Sequence, residues 1–193
     1  MNPKEFLDFL IRRRSIRKYL EKPISDEDLN MILEAGRWAP SGTNRQPWKF
    51  IIIKNRELLQ QIVKRRKDLG LPAGLPLRTA QLGIAIVGNI GEYPKIEANL
   101  ERIWSGEATE MEVIKEQCLM DCSLAAMNMM LMAWALNIGT CCIGFLDREH
   151  TKKLLGIDEQ DYLLYILAVG HIKGNIPKPT KRKNLEEICR FIV

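Results

Sequence analysis

Two short stretches near the ends of the chain carry enough positive charge to bind an anion. The first, RRRSIRKY at 12–19, sets four arginines around one serine. Guanidinium groups pair with phosphate oxygens, and a serine hydroxyl can donate one more hydrogen bond. Alternate side chains of an extended segment share a face, so Arg13, Ser15 and Arg17 are predicted to face one anion. A solvated basic turn after a helix explains the same residues equally well.

The second basic stretch, PKPTKRKN at 177–184, lies near the other end of the chain. Its two prolines favour an extended chain that could close over the same anion from the opposite side. Taken alone, such a run of charge is more often a solvated tail.

A polar loop, PSGTNRQP at 40–47, leads directly into the apolar run WKFIII. Side-chain amides such as Asn44 and Gln46 can read the edge of a flat heterocycle or a row of hydroxyls. As structure alone, the same residues are turn formers.

The stretch TCCIG at 140–144, flanked by Gly139, would allow the backbone to approach a ligand closely. The sequence contains no P-loop, no G-x-G-x-x-G and no nucleophile elbow. No paired carboxylates or triad-like histidine stand out. We therefore expect no catalytic side chain, and a bound cofactor that carries the chemistry.

The cysteines argue against a disulfide framework and against a metal site. They are odd in number, two are adjacent, and only His150 and His171 could join them as zinc ligands. We expect packed, inert thiols in a reducing compartment and no metal. The five positions are Cys118, Cys122, Cys141, Cys142 and Cys189.

Length and composition predict one domain, residues 1–193, with a substantial core, since 46% of residues are hydrophobic. The N-terminal apolar run is too short and too acidic for a signal peptide. The run 123–139 is shorter than a bilayer span and contains two asparagines. We expect a soluble, cytoplasmic protein with no membrane partner.

The periodicity of apolar residues, and the glycines and prolines that interrupt it, predict alternating helices and strands. This pattern is typical of an α/β or α+β class. A capping pattern at Ser25 starts the second helix near Asp26. The predicted helices lie near 5–13, 26–36, 56–68, 110–136 and 150–156, and the tail 175–193 is predicted to be extended and then briefly helical. The predicted strands are 48–53, 82–88 and 162–171, and 140–145 is predicted to be a short strand or a turn.

The long helix predicts how the chain assembles. Its stretch Leu124 to Leu136 is apolar nearly all round and needs cover on more than one side. A homodimer that buries this helix is the favoured explanation, and a helix central to a monomer is the alternative.

Taken together and in order, RRRSIRKY, PSGTNRQPWKF, NIGTCCIGF, LAVGH and PKPTKRKNLEEI resemble the FMN-dependent nitroreductase family over about residues 9–190. The resemblance implies an α+β fold with a central, mainly antiparallel sheet. It also implies an intertwined homodimer with two FMN sites at the interface.

The resemblance also implies the residues of the flavin site. Arg13 and Ser15 would serve the phosphate and ribityl end, and Arg17 the N1 and O2 side of the ring. Arg182 and Lys183 would return to the phosphate, with Lys181 as a substitute. The remaining implied contacts are Arg14, then Pro40, Ser41, Gly42 and Asn44 from the partner subunit, and Cys142, Ile143 and Gly144 near N5.

The implied reaction is ping-pong. NAD(P)H is the co-substrate that gives hydride to N5, and an electron-poor small molecule (a nitroaromatic, quinone or flavin) then takes its place. Tyr93 and Trp104 could shape the acceptor pocket, and packing explains both residues equally well. The alternatives are a flavin-storage protein, or a relative specialised for flavin fragmentation or dehalogenation. Nucleic acid is not expected as a partner, because few aromatics interleave with the basic residues.

Overall fold

The computed structural model describes residues 2–71, 75–93 and 105–192. Short 3-10 turns occupy Gly42–Asn44 and Ile90–Glu92. In the described part of the chain the helices are α1 Pro3–Arg12, α2 Asp26–Arg37, α3 Arg56–Asp68, α4 Leu75–Thr79, α5 Glu110–Ala135, α6 Arg148–Leu155 and α7 Leu185–Ile188. The strands are β1 Trp48–Ile53, β2 Leu82–Gly88, β3 Ile138–Ile143 and β4 Tyr162–His171.

The four strands form one sheet in the order β1-β2-β4-β3, and every neighbouring pair is antiparallel. The predicted α+β class with a mainly antiparallel sheet is confirmed. A register shift between Ile86 and Val87 interrupts the pairing of β2 with β4.

Helices cover both faces of the sheet, which explains why every residue of β2 is buried. Ile84 and Ile86 pack toward α2 and α5, whereas Ala85 and Val87 pack toward α3, α4 and α6. Alternate residues of a strand point to opposite faces. A strand covered on both sides therefore needs an unbroken apolar run even in an antiparallel sheet.

Local signals account for most element bounds. The Ser25 hydroxyl accepts from the Asp28 N–H at the start of α2, and Gly156, with φ of 64°, ends α6 in the left-handed conformation. The short helix α4 was not predicted. The predicted buried strand at 48–53 is only partly buried, because β1 lies at an edge of the sheet.

One side of α5 packs in the core, with Cys118, Ala126 and Met129 fully buried. The other side exposes apolar residues, including Met120 at 65% and Leu124 at 46% of their surface. By length and composition α5 could cross a bilayer, but core helices meet the same criteria. The expectation that a second copy of the chain covers these exposed residues stays a prediction.

The basic segment after α1 lies on a bare patch of the sheet formed by two glycines. Gly139 of β3 and Gly170 of β4 are directly paired. An added Cβ would lie 2.6 Å from Ile16 Cβ at the first glycine and 2.8 Å from Tyr19 Cβ at the second. Ile16 and Tyr19 can therefore approach the sheet closely and become buried.

Backbone hydrogen bonds hold the segment there. The Ile16 N–H donates to the Thr140 carbonyl and the Leu20 N–H to the His171 carbonyl, both at 2.9 Å. The Tyr19 hydroxyl donates to the Ile16 carbonyl at 2.6 Å and lies 3.2 Å from the Ala168 carbonyl. This attachment fixes where the charges of residues 13–17 lie.

Replacing Gly139 with alanine should destabilise the protein by about 1–3 kcal/mol, because the new methyl meets a Cβ atom that cannot rotate away. Urea unfolding measures the change. Gly144→Ala is the control, because a Cβ there meets no atom within 4 Å, and its effect should stay within about 0.5 kcal/mol. Equal small effects at both glycines would contradict the close packing.

Candidate functional site

Positive side chains from both ends of the chain meet beside β3. Arg13 and Ser15 are half-buried and Arg17 is exposed. Burial, together with the nearby charges of Arg14 and Arg182, lowers the pKa of the Arg13 guanidinium. The charge of Arg182 therefore acts on Arg13 although the two residues lie near opposite ends of the sequence. Arg12 and Arg14 of the first basic stretch also line one cleft with Lys178 of the second, which favours closure of the second stretch over the first.

Arg14 has a different environment from its neighbours. Its Nη1 donates to the carbonyls of Ile11 at 2.6 Å and Arg13 at 2.8 Å. These bonds satisfy carbonyls at the end of α1. Its Nε is buried and has no hydrogen-bond partner among the described residues, so an anion oxygen there would satisfy it.

The tail after β4 forms one wall of this region. Residues 173–192 are exposed throughout. A cleft of about 210 Å³ separates Ser15 and Arg17 from Lys173 and Asn175. A larger cleft, of about 600 Å³, adjoins it and is lined by Phe9, Arg12, Arg14, Trp134, Ala135, Asn137, Ile172, Ile176, Pro177, Lys178 and Pro179.

The end of β3 lies next to the same charges. Ser15 forms a parallel β-bridge with Thr140. Thr140 lies two residues before Cys142 in β3. Burial raises the pKa of the Cys141 thiol, while the charges of Arg17 and Arg13 oppose that shift. At Gly144 an added Cβ would meet no atom within 4 Å, so this backbone borders open space.

The cysteine prediction holds only in part. All five thiols are free, and Cys118, Cys122 and Cys141 are buried as expected. Cys142 and Cys189 are exposed in this chain, so the prediction of packing is wrong for them. Cys142 lies near the end of β3 and Cys189 in the exposed tail, where local composition does not determine burial.

Among residues 2–71, 75–93 and 105–192, no group of three or more His, Cys, Asp or Glu side chains is arranged to hold a metal ion.

The polar loop 41–46 is strained. Thr43, Asn44 and Gln46 have φ of 50°, 57° and 52°. Left-handed conformations cost a non-glycine residue about 1–3 kcal/mol each and concentrate at functional sites. Within the loop, the Gln46 N–H donates to the Ser41 hydroxyl at 2.9 Å and the Asn44 N–H to the Ser41 carbonyl at 3.0 Å.

The loop is held from outside by two residues. The Gly42 N–H donates to Asp121 Oδ1 at 3.2 Å, and the Arg45 guanidinium lies 5.3 Å from the centre of the Tyr93 ring. Pro40, Gly42 and Asn44 remain exposed. The loop therefore presents polar groups outward from a constrained backbone.

Among the described residues, the polar loop lies apart from the two clefts that the basic residues line. The two clefts beside the basic residues include none of residues 40–46. Gly42 is bonded to Asp121, whereas Trp134 lines the larger cleft. At a rise of about 1.5 Å per residue, these two positions of α5 are about 20 Å apart.

Asp121 was missed from the sequence. It is a buried carboxylate that Met120 and Cys122 flank in the middle of α5, and an acid among apolar neighbours was the signal that could have found it. Tyr93, predicted to shape an acceptor pocket, is buried and bonded to that carboxylate. Trp104 lies outside the described residues.

Comparisons with known proteins agree along most of the chain. The profile of a family described as "Nitroreductase family" matches residues 10–171. A "Putative NADH dehydrogenase/NAD(P)H nitroreductase" of Archaeoglobus fulgidus is 32% identical over 174 residues, covering 88% of this chain and 87% of the relative.

Solved structures show the same fold. A "putative nitroreductase" of Bacillus subtilis superimposes with a TM-score of 0.82 at 21% identity, over 99% of this chain and 100% of that one. A "putative nitroreductase in complex with FMN" from Exiguobacterium sibiricum superimposes with a TM-score of 0.76 at 24% identity, over 96% of each chain. The predicted nitroreductase-like fold is confirmed.

Arg13→Met should weaken anion binding without destabilising the ligand-free protein, because it removes one of several crowded like charges. Inorganic phosphate at several times its dissociation constant should stabilise the wild type by about 1 kcal/mol, and the variant by much less.

Urea unfolding in phosphate and in sodium chloride of equal ionic strength measures both effects. Arg56→Met, an exposed arginine at the start of α3, controls for non-specific salt effects. An Arg13→Met protein that phosphate stabilises as strongly as the control would contradict an anion site at this position.

Proposed function

The chain belongs to the nitroreductase family, and from that premise we propose that it is an FMN-dependent oxidoreductase. The proposed reaction moves hydride from NAD(P)H to an electron-poor acceptor such as a nitroaromatic, a quinone or free flavin. The name of the Archaeoglobus relative supports NAD(P)H as the co-substrate, and the Exiguobacterium structure, a complex with FMN, supports FMN as the cofactor.

The observation that carries the proposal is that basic side chains from the two ends of the chain line common clefts beside β3, Arg12 and Arg14 together with Lys178 and Arg17 together with Lys173. Two like charges repel each other, so their proximity is favourable when an anion lies between or beside them. The phosphate of FMN is such an anion, and Ser15 offers a further donor.

Two further observations support a fit to FMN. The buried Nε of Arg14 lacks a partner among the described residues and would be satisfied by a phosphate oxygen. The backbone at Gly144 borders open space, as the close approach of a flat ring requires.

Each residue would then have a defined role. Arg13, Ser15, Arg182 and Lys183 would hold the phosphate and ribityl end. Arg17 would supply positive charge to the N1 and O2 side of the ring, and the backbone of 142–144 would border N5. FMN, when bound, supplies hydride acceptance and transfer. The chain contributes position and electrostatics rather than an acid–base side chain.

We further propose a homodimer with shared flavin sites, in which the loop 40–44 of one subunit lines the flavin held by the other. The separation of this loop from the basic residues in one chain supports that arrangement. So do the exposed apolar side chains of α1, α5 and the tail, among them Phe6, Leu7, Met120, Leu124, Phe191 and Ile192. A cytoplasmic location stays a prediction.

The purified protein should show flavin absorption bands that bleach when NADPH or NADH is added without oxygen, because the bound cofactor accepts hydride. Anaerobic absorption spectroscopy measures this directly. Bands that persist with both nucleotides would favour flavin storage over turnover. A protein that contains no flavin and binds none when FMN is added would contradict the proposal.

Met120→Glu should shift the protein from dimer to monomer and reduce FMN binding by about 10-fold or more, since a charge buried at an interface is strongly unfavourable. Sedimentation velocity and FMN titration measure the two effects. Leu69→Glu, at an exposed residue after α3, is the matched control. A Met120→Glu dimer with unchanged FMN affinity would contradict an interface on this side of α5.

A further inference from the structure

A buried carboxylate joins the polar loop to the segment that follows β2. Asp121 is 5% exposed and accepts two hydrogen bonds, one at each oxygen. The Gly42 N–H donates to Oδ1 at 3.2 Å, and the Tyr93 hydroxyl donates to Oδ2 at 2.8 Å. A carboxylate buried at this depth is costly unless it is hydrogen-bonded, so both donors stabilise it where it lies.

These contacts connect two positions of the loop, Gly42 and Arg45, through Asp121 and Tyr93. The carboxylate of Asp121 accepts hydrogen bonds from Gly42 and Tyr93, and the Tyr93 ring lies under the guanidinium of Arg45. A cation above an aromatic ring is attracted to its face. The loop is therefore held at both Gly42 and Arg45 by one buried pair.

The strain of the loop explains why such support is needed. Thr43, Asn44 and Gln46 occupy the left-handed region, which is unfavourable for residues with side chains unless the surroundings impose it. Asp121 and Tyr93 supply such support from outside the loop, through the Gly42 N–H and the Arg45 guanidinium.

We propose that Asp121 is a positioning residue for the flavin site, whose buried carboxylate, bonded to Gly42 and Tyr93, holds the loop 41–46 in the conformation that presents Ser41 and Asn44 to the ring. This inference rests on the proposed function, because it takes the loop as part of a flavin site. It assigns Tyr93 the role of orienting Asp121 rather than of contacting the acceptor.

The first test compares Asp121→Ala with Asp121→Asn. Alanine removes both hydrogen bonds and should raise the FMN dissociation constant by about 10-fold or more. Asparagine can accept from Gly42 with its oxygen and donate to the Tyr93 hydroxyl with its nitrogen. It should therefore restore affinity to within about 3-fold of the wild type.

Asp161 provides the matched control. It is also a buried carboxylate, 4% exposed, and it accepts from Lys49 Nζ of β1 at 2.7 Å rather than from a residue of the loop 41–46. Asp161→Ala should lower the urea midpoint at least as much as Asp121→Ala does. Its FMN dissociation constant should stay within about 2-fold of the wild type.

Hydrogen exchange supplies a readout that needs no flavin. The amides of 41–46 should exchange about 10-fold faster in Asp121→Ala than in the wild type or Asp161→Ala, because the loop opens locally. Tyr93→Phe should give a smaller increase. In the double variant, the amides of 41–46 should exchange hardly faster than in Asp121→Ala alone, because both substitutions disrupt the same set of contacts.

Three results would overturn the inference. The first is that the amides of 41–46 exchange no faster in Asp121→Ala than in the wild type. The second is that these amides exchange faster in Asp121→Ala while its FMN affinity is unchanged. The third is that Asp161→Ala loses as much FMN affinity as Asp121→Ala does. A wild-type protein that binds no FMN would instead overturn the proposed function. The exchange measurement would then still decide whether Asp121 holds the loop.

Discussion

The close contact between the basic segment and two paired glycines is the constraint on which the proposed site depends. Because Gly139 and Gly170 have no side chains, Ile16 and Tyr19 can pack directly on the backbone of the sheet there. With the segment held there, Arg14 and Lys178 line one cleft, Arg17 and Lys173 line another, and Ser15 lies beside β3. Side chains on either glycine would lift the segment, and the positive charges would lose their common position.

A second constraint acts on the polar loop. Its left-handed residues would relax in isolation, and a carboxylate from the middle of α5 holds it through Gly42. The same long helix carries exposed apolar residues on its other side. The helix thus supports the loop, contributes to the core and offers the surface on which a second copy is proposed to pack.

Local patterns predicted the elements better than they predicted burial or long-range contacts. The run WKFIII and the Ser25 cap identified β1 and α2, because an apolar run and a helix cap are properties of neighbouring residues. The short helix α4 has neither a long period nor a clear cap, and it was missed. The exposure of Cys142 depends on tertiary position, which residue type does not encode. The cleft that the two basic stretches share and the hydrogen bond from Gly42 to Asp121 likewise depend on how distant elements pack.

The central claim is that one flavin site takes the basic segment of one chain and the polar loop of another. The most direct measurement mixes two variants that each bind FMN poorly, Arg13→Met and Asn44→Ala, after subunit exchange. If the sites are shared across a two-fold interface, each mixed dimer regains one intact site, and FMN should bind to about a quarter of all sites. If mixing restores no binding although mixed dimers form, each site lies within one chain and the claim is wrong.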